Sequence, residues 1–347
     1  MLLMTSDVVY CRRIVSYLGN HHPESKVTIL NSEPFPNDAV RQNTYSVILI
    51  GEEFAGVHAD IPDNAACAYL SENSAGNPVN GKISVCKYKG GEEIYRTILS
   101  LFSEVSTVHG TGGDSAVYSF VGAGGGTGAS VAAAALAYKL AATGKKVLFL
   151  NLDKFSDKSQ LFFDNTCGGN MGDIIFLIKS NENKRINLSV KCASILGRDR
   201  SGVNFINSCS NPYNFDEMSF EELTELFKAA SSADNFDAVV LDGSIYDSRV
   251  WRLISEKSER IFVVSDNGAF SGQKLNRMLD MFRVIDMRGS ESITARLGLI
   301  LNKGASRAEL PDGINPICSV PRYADSNPRG IAEAISRLDI WTSVLTR

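Results

Sequence analysis

The stretch VYSFVGAGGGTGASVAAAALAYKLAA, residues Val117–Ala142, decides how the rest of the chain is read. Val117–Val121 is rich in β-formers and predicts a buried strand. Gly122, Gly124, Gly125 and Gly126 follow, then Thr127, Gly128, Ala129 and Ser130. From Val131 to Ala142 the residues are small and Ala-rich, which predicts a helix, and Gly144 supplies its stop. Strand, Gly-rich loop and helix in succession lay backbone N–H groups around an anion, phosphate above all. Glycine suits such a loop because a side chain would hold the anion off and because the turn needs φ > 0.

The phosphate-loop pattern is G-x-x-x-x-G-K-[ST]. Its frame falls here on Ala123, Gly124, Gly125, Gly126, Thr127, Gly128, Ala129 and Ser130. The second glycine and the hydroxyl are kept, and Ala129 stands in place of the lysine. The loop can wrap phosphates by backbone and offer Ser130 to a magnesium ion, but it lacks the cation that reaches the outer phosphates. The alternative is a Gly-rich strand–helix turn of the kind any doubly wound domain contains.

Composition narrows the classes. The chain has 347 residues, enough for two domains, and 44% of them are hydrophobic, enough to fill real cores. The net charge is −4 with no long run of one sign, so no DNA or anionic-membrane surface is expected. The seven cysteines are scattered with no C-x-x-C pair, a usage that predicts reduced cytosolic thiols rather than disulfides or a zinc site. Met1–Thr5 enters a strand directly, without the pattern of a signal peptide, and no apolar run approaches a membrane span. The expected setting is the cytoplasm, with no integral membrane segment.

In the first hundred residues, strands are predicted at Leu2–Thr5, Val27–Leu30, Val47–Ile50, Ala68–Leu70 and Ile83–Cys86. Helical spacing marks Val8–Leu18 and Glu92–Phe102, and Asp38–Gln42 reads as helical or irregular. Strands alternating with helices imply a parallel, flavodoxin-like sheet. This order resembles a response-regulator receiver domain. The resemblance places Ser6 and Asp7 after strand one, Ser71 after strand four and Lys87 after strand five. It puts the phospho-acceptor at Gly51, which cannot be phosphorylated, and Glu52 and Glu53, next along, are expected to face away. ENSAGNPVNG, from Glu72 to Gly81, is too short and turn-rich for a normal helix. The expectation is an atypical receiver used for contacts. The Ser-, Thr- and Gly-rich run Ser103–Ser115 predicts a flexible joint.

Beyond the loop, KVLFLNLD (Lys146–Asp153) and FDAVVLD (Phe236–Asp242) are apolar strands that each end in an aspartate. Ligands of open α/β sheets sit at that strand edge, and an apolar strand ending in Asp is where phosphate-loop proteins hold magnesium. Arg260–Val264, Leu297–Leu301 and Ile314–Val320 are further strands, and Gly330–Leu345 is a final helix expected to pack in the core through Trp341. Lys184, Arg185, Lys191, Arg198 and Arg200 lean basic among interleaved acids and read as a solvated face.

The order of loop, strand-Asp, strand-Asp, strand-Asn and then Ser319-Val320-Pro321 resembles the MinD/ParA-type ATPases with a deviant Walker A loop. Within them it is most similar to the pilus-assembly branch of TadZ and CpaE, whose members carry an atypical receiver in front. NLDKFSDKSQLFFD (Asn151–Asp164) and RDRSGVNFI (Arg198–Ile206) carry that likeness. The resemblance implies a nucleotide site at Gly124, Gly125, Gly126, Thr127, Gly128, Ala129, Ser130 and Val131. It places Asn302 and Pro321 at the adenine base, magnesium at Ser130, Asp153 and Asp242, and Asp153 beside the attacking water if hydrolysis occurs. The signature lysine of the MinD/ParA family's deviant loop would stand at Gly124, and its second lysine at Ala129, so both phosphate-neutralising cations are missing. Asp153 and Asp242 read otherwise as residues capping the next turn.

The expected architecture is thus α/β with two doubly wound parallel-sheet domains: a receiver-like domain at 1–103, a linker at 104–115 and a degenerate nucleotide-binding domain at 116–347. The implied function is an ATP- and Mg2+-binding localisation or scaffold protein of type IV (tight adherence) pilus assembly in the bacterial cytoplasm. It would form a homodimer, work with other pilus-assembly proteins, and sit at a pole or membrane only through partners. A slow ParA/MinD-type ATPase and a nucleotide-free signalling protein are the alternatives.

Overall fold

The computed structural model describes residues 1–31, 45–60, 65–72, 78–79, 82–105, 115–164, 168–180, 186–288, 292–305, 310, 315–324 and 327–341. The expected segment Asp38–Gln42, most of Glu72–Gly81, and Lys184 and Arg185 lie outside them. Contacts divide the chain into one unit of Met1–Gly110 with Ser180–Ile195 and another of Thr111–Lys179 with Leu196–Arg347.

The first unit is a five-stranded sheet of order β2-β1-β3-β4-β5, all parallel. The strands are β1 (Leu2–Met4), β2 (Thr28–Leu30), β3 (Val47–Gly51), β4 (Ala66–Ser71) and β5 (Ser84–Cys86). β1, β3 and β4 are buried along their whole length, which explains their nearly continuous apolar sequence. The helices Val8–His21 and Gly91–Val105 cover one face through Ile14, Leu18, Ile94, Ile98 and Leu101. The second of these runs to Val105, so the first residues of the expected joint are its last turn, and Ser103 is buried there. The helix Leu188–Ile195 packs on Gly91–Val105, with Lys191 Nζ donating to Ser100 Oγ at 2.7 Å and Asn187 N to Ser103 O at 2.8 Å. The expected boundaries place this segment in the second domain; its packing partner, the helix Gly91–Val105, lies some ninety residues away in the chain and leaves no local signal.

The second unit holds an eight-stranded sheet of order β13-β12-β11-β6-β10-β7-β9-β8. Its strands are β6 (Ala116–Gly122), β7 (Val147–Asn151), β8 (Gly197–Arg198), β9 (Asn204–Phe205), β10 (Ala238–Asp242), β11 (Arg260–Ser265), β12 (Leu297–Leu301) and β13 (Pro316–Ser319). All pair in parallel except the edge pair β8–β9. The expected two-sheet α/β architecture is therefore present. From β6 the chain winds toward β7 on one side, and β10 hands on to β11 on the other side of β6. That reversal opens a crevice at the carboxyl end of β6, where ligands of such sheets bind.

The helix Ala129–Ala142 crosses the sheet from this point. Ala132 to Ala135 and Ala137 are all buried, because the helix is enclosed between the sheet and the helix Pro328–Ser336. Alanine lets backbones approach where larger side chains would not fit. The helix Pro328–Ser336 gives way to a turn, helical backbone resumes at Ile340 and Trp341, and residues 342–345 of the expected helix lie outside the described ones; Trp341 is fully buried with Nε1 donating to Ile335 O at 2.8 Å. The expected core packing of Trp341 is thus present. Among the described residues no helix is long and apolar enough to cross a membrane.

Candidate functional site

In the first unit, the carboxyl edge of the sheet gathers Asp7, Glu53, Glu72, Ser71 and Lys87. Lys87 Nζ lies 3.1 Å from Glu72 Oε1 and 3.8 Å from Asp7 Oδ2, while Asp7 Oδ1 accepts from Tyr10 N at 2.9 Å and starts the first helix. Gly51 carries no side chain, but the space is not vacant. A Cβ built on Gly51 would stand 2.4 Å from Glu53 Oε2. Thr5 Oγ1 and Ser6 N hold Glu53 Oε1 there at 2.7 and 2.9 Å. Burial works against the Glu53 charge, and these hydrogen bonds outweigh it, holding its pKa below the usual carboxylate range. The expectation that Glu53 faces away is corrected. The strand ends at Gly51, and Glu52–Asp60 coils into tight 3-10 turns, so strand alternation no longer decides where Glu53 points.

With a glycine acceptor and its space filled, incubation with acetyl phosphate and Mg2+ is expected to give no acid-labile phosphate and no mass gain. Gly51→Asp alone should not create an acceptor, whereas the double variant with Glu53→Ala frees the space for one. An adduct on Asp7, Glu52 or Glu53 of the wild type would contradict this.

In the second unit, the Gly-rich loop leaves β6 with Ala123 N donating to Val264 O at 2.9 Å. Gly126 and Gly128 have φ of +73° and +95°, conformations that side-chain-bearing residues rarely adopt. A Cβ on Gly125 or Gly126 would meet nothing within 4 Å, so the outer side of the loop is open. Thr127 is buried beneath it, and its Oγ1 donates to Gly124 O at 3.0 Å. Gly128 caps the helix without any side-chain bond, leaving first-turn N–H groups for another acceptor. Ala129, Ser130 and Val131 form this half-buried first turn. Gly124, at the position of the implied lysine, has Ser271 as its nearest neighbour, and a Cβ there would lie 3.6 Å from Ser271 Cβ.

Asn302 lies behind the loop. Its Nδ2 donates to Thr127 O at 2.8 Å, and a Cβ on Gly128 would stand 2.1 Å from that nitrogen. In this arrangement it buttresses the loop. Pro321 is exposed just past Val320, whose carbonyl accepts from Gly304 N at 2.9 Å and ties the turns after β12 and β13 together.

The two strand-end aspartates meet at this edge. Asp242, pairing in register with Phe120 on β6 and Asn151 on β7, is 1% exposed and accepts a hydrogen bond from Ser130. Asp153 follows β7, with Asn151 Oδ1 accepting its N–H at 3.1 Å and Asp153 Oδ1 accepting Phe155 N at 3.1 Å. Between the two carboxylates stands a residue the sequence reading passed over. Lys158 Nζ is 3.1 Å from Asp153 Oδ2 and 3.1 Å from Asp242 Oδ2. Lys158 Nζ is thus the partner of Asp242 Oδ2. Burial pushes the Asp242 carboxyl up, against the pull of Lys158 and Ser130. Burial also works against the Lys158 charge, but Asp242 and Asp153 outweigh it and raise its pKa above the ordinary lysine range.

Open glycines, free helix N–H groups and positive-φ turns fit a phosphate group. The donor set implied for magnesium is assembled as well, since Ser130, Asp153 and Asp242 converge, yet the place for a cation between the carboxylates is taken by Lys158. A polar cavity of about 580 Å³, lined in part by Phe155, Asp157, Asn207 and Ser208, borders the Asp153 turn rather than the loop.

Comparison with known proteins follows the same division. Residues 1–103 match the family model described as the TadZ-like receiver domain. No curated protein sequence matches the chain. Among solved structures, the ParA family ATPase from Chlorobium tepidum TLS has a TM-score of 0.53 at 19% identity, covering 67% of this chain and 97% of that one. The MinC:MinD cell division protein complex of Aquifex aeolicus has a TM-score of 0.50 at 14% identity, covering 67% and 95%. At such identities the likeness establishes fold. Residues 1–103 thus match the TadZ-like receiver domain, and the rest of the chain shares the fold of the ParA and MinD ATPases.

Proposed function

We propose that the second unit binds ATP at Gly124–Val131 with little or no turnover, and that the chain is a localisation or scaffold protein of tight-adherence pilus assembly. The observation that carries this is the union of a TadZ-like receiver domain with a ParA-type fold whose phosphate loop keeps its glycines and lacks its lysine. Backbone N–H groups favour a bound phosphate in the ground state. Turnover needs charge that grows in the transition state to be met by fixed cations, an effect worth several kcal/mol. Ala129 and Gly124 supply none. In this reading Asn302 supports the loop, Pro321 borders the base, and two copies of the chain pair through their second units while other pilus-assembly proteins dock on the receiver-like unit.

A slow ATPase is the second reading, and Lys158 favours it by bringing a cation to Asp153. Phosphate release at saturating ATP and Mg2+ separates the two. The wild type is expected to release phosphate at the rate of the protein-free control, and Ala129→Lys to tighten ATP binding without creating an efficient enzyme. Steady turnover that Asp153→Ala abolishes would establish the slow ATPase instead.

A further inference from the structure

We propose that Lys158 is the resident cation of this site, holding the place between Asp242 and Asp153 that a divalent metal would need, so that phosphate binding does not require the metal. The second clause rests on the nucleotide reading above; the first does not.

The arrangement is built in rather than incidental. Asp242 is buried, and its Oδ2 has Lys158 Nζ as its partner at 3.1 Å. A buried carboxylate without a compensating cation is strongly unfavourable, so something positive must stand here in the free protein. The lysine that does so is itself only 15% exposed and cannot wander. It opens the short helix Lys158–Phe162, whose fully buried Ser159 hydroxyl lies within hydrogen-bond distance of Asp157 Oδ1 and of Asn207 Oδ1, the latter at 3.0 Å. Tyr138 Oη, on the helix that follows the phosphate loop, donates to Phe162 O at the other end of that short helix. The backbone beneath Lys158 is therefore fixed at both ends, and the ammonium is aimed at the carboxylate pair.

An ammonium offers three N–H donors, and two carboxylates leave one of them for a third acceptor. A divalent ion entering between Asp153 and Asp242 would have to drive Lys158 out and leave it unpaired in a mostly buried position. A tethered counter-ion thus competes with metal at the effective concentration of its own chain.

The test uses the full chain and has two readouts. In the nucleotide-free protein, Mn2+ binding followed by electron paramagnetic resonance is expected to be absent in the wild type and in Lys158→Arg. Lys158→Met should bind Mn2+ about tenfold more tightly or better once the competing charge is gone, and adding Asp242→Asn should remove the gained site. That double variant also restores the wild-type net charge of the cluster, so it folds even if Lys158→Met alone is too unstable. In the second readout, ATP is titrated with Mg2+ or with EDTA. Wild-type affinity should change less than about threefold between the two, a difference below 1 kcal/mol, whereas Lys158→Met should need Mg2+. Wild-type Mn2+ binding as tight as that of Lys158→Met, or wild-type ATP binding that collapses in EDTA, would overturn the proposal. ATP binding in neither buffer would overturn the nucleotide reading and the second clause, while the Mn2+ result would still decide the first.

Discussion

Asp199→Ala is expected to destabilise the protein by about 3 kcal/mol at neutral pH, the range for removing one partner of a buried ion pair. Asp199 is 3% exposed and lies just past β8. Its Oδ1 accepts Asp164 N at 2.8 Å and Arg329 Nη2 at 3.2 Å, and its Oδ2 accepts Ser201 N at 2.8 Å. Arg329 reaches on to Asp164 Oδ1 at 2.7 Å and Glu333 Oε1 at 3.1 Å. The group therefore pins the helix Pro328–Ser336, which encloses the Ala-rich helix behind the phosphate loop, to the β8–β9 edge. Without Asp199, two backbone N–H groups and part of a guanidinium lose their acceptor.

The loss should depend on pH in a defined direction. Burial opposes the Asp199 charge, but hydrogen bonds from Ser201 and Asp164 and the Arg329 charge hold its pKa below the usual value. A carboxyl depressed on folding stabilises fully above its unfolded pKa of about 3.9, and that contribution vanishes as pH falls through the folded value. For a unit of this size, about 3 kcal/mol corresponds to a fall of roughly 6–12 °C in Tm. Circular dichroism melts at pH 7 and near pH 3 should show a larger gap between wild type and variant at the first pH than at the second. An equal gap at both would mean that the ion cluster is not its source.

Gly128→Val is expected to have an effect of similar size on stability and to abolish ATP binding. Valine at a φ of +95° is strained by about 1–3 kcal/mol. Its Cβ would also collide with Asn302 Nδ2, displacing the hydrogen bond to Thr127 O, a further loss of about 1 kcal/mol. Because that variant damages the loop itself, Gly125→Val is the sharper probe. Gly125 has no positive φ among the glycines of the loop, is exposed and faces open space, so stability should stay within about 0.5 kcal/mol of wild type. A side chain there would nonetheless stand where a phosphate must come close to the backbone. Loss of ATP binding with an unchanged melting curve is the expected result.

Much of this was legible in the sequence because local patterning and strand ends carried it. The β6–loop–helix stretch, Asp242 at the end of β10 and Asn302 after β12 are each set by a few consecutive residues. Other features depended on residues far apart in the chain. Lys158 sits in DKSQLFF like any solvated lysine until the sheet brings β10 beside β7 and sets Asp242 against it. Glu53 reaches over Gly51 because the chain leaves strand geometry at that residue. The short β8 and β9 are two residues each, too brief for a period-two signal. Nothing within Leu188–Ile195 says which domain it joins, and only its packing on the helix Gly91–Val105 assigns it to the first unit.

The central claim is that the open Gly-rich loop of the second unit holds a nucleotide phosphate. The most direct measurement is the melting temperature of the full chain and of Gly125→Val, each with and without millimolar ATP and Mg2+. At about 100 times the dissociation constant, the ligand adds roughly 2.7 kcal/mol, or on the order of 5–10 °C, to the wild type, and the variant should not respond. No shift in the wild type, or an equal shift in both proteins, would contradict the assignment.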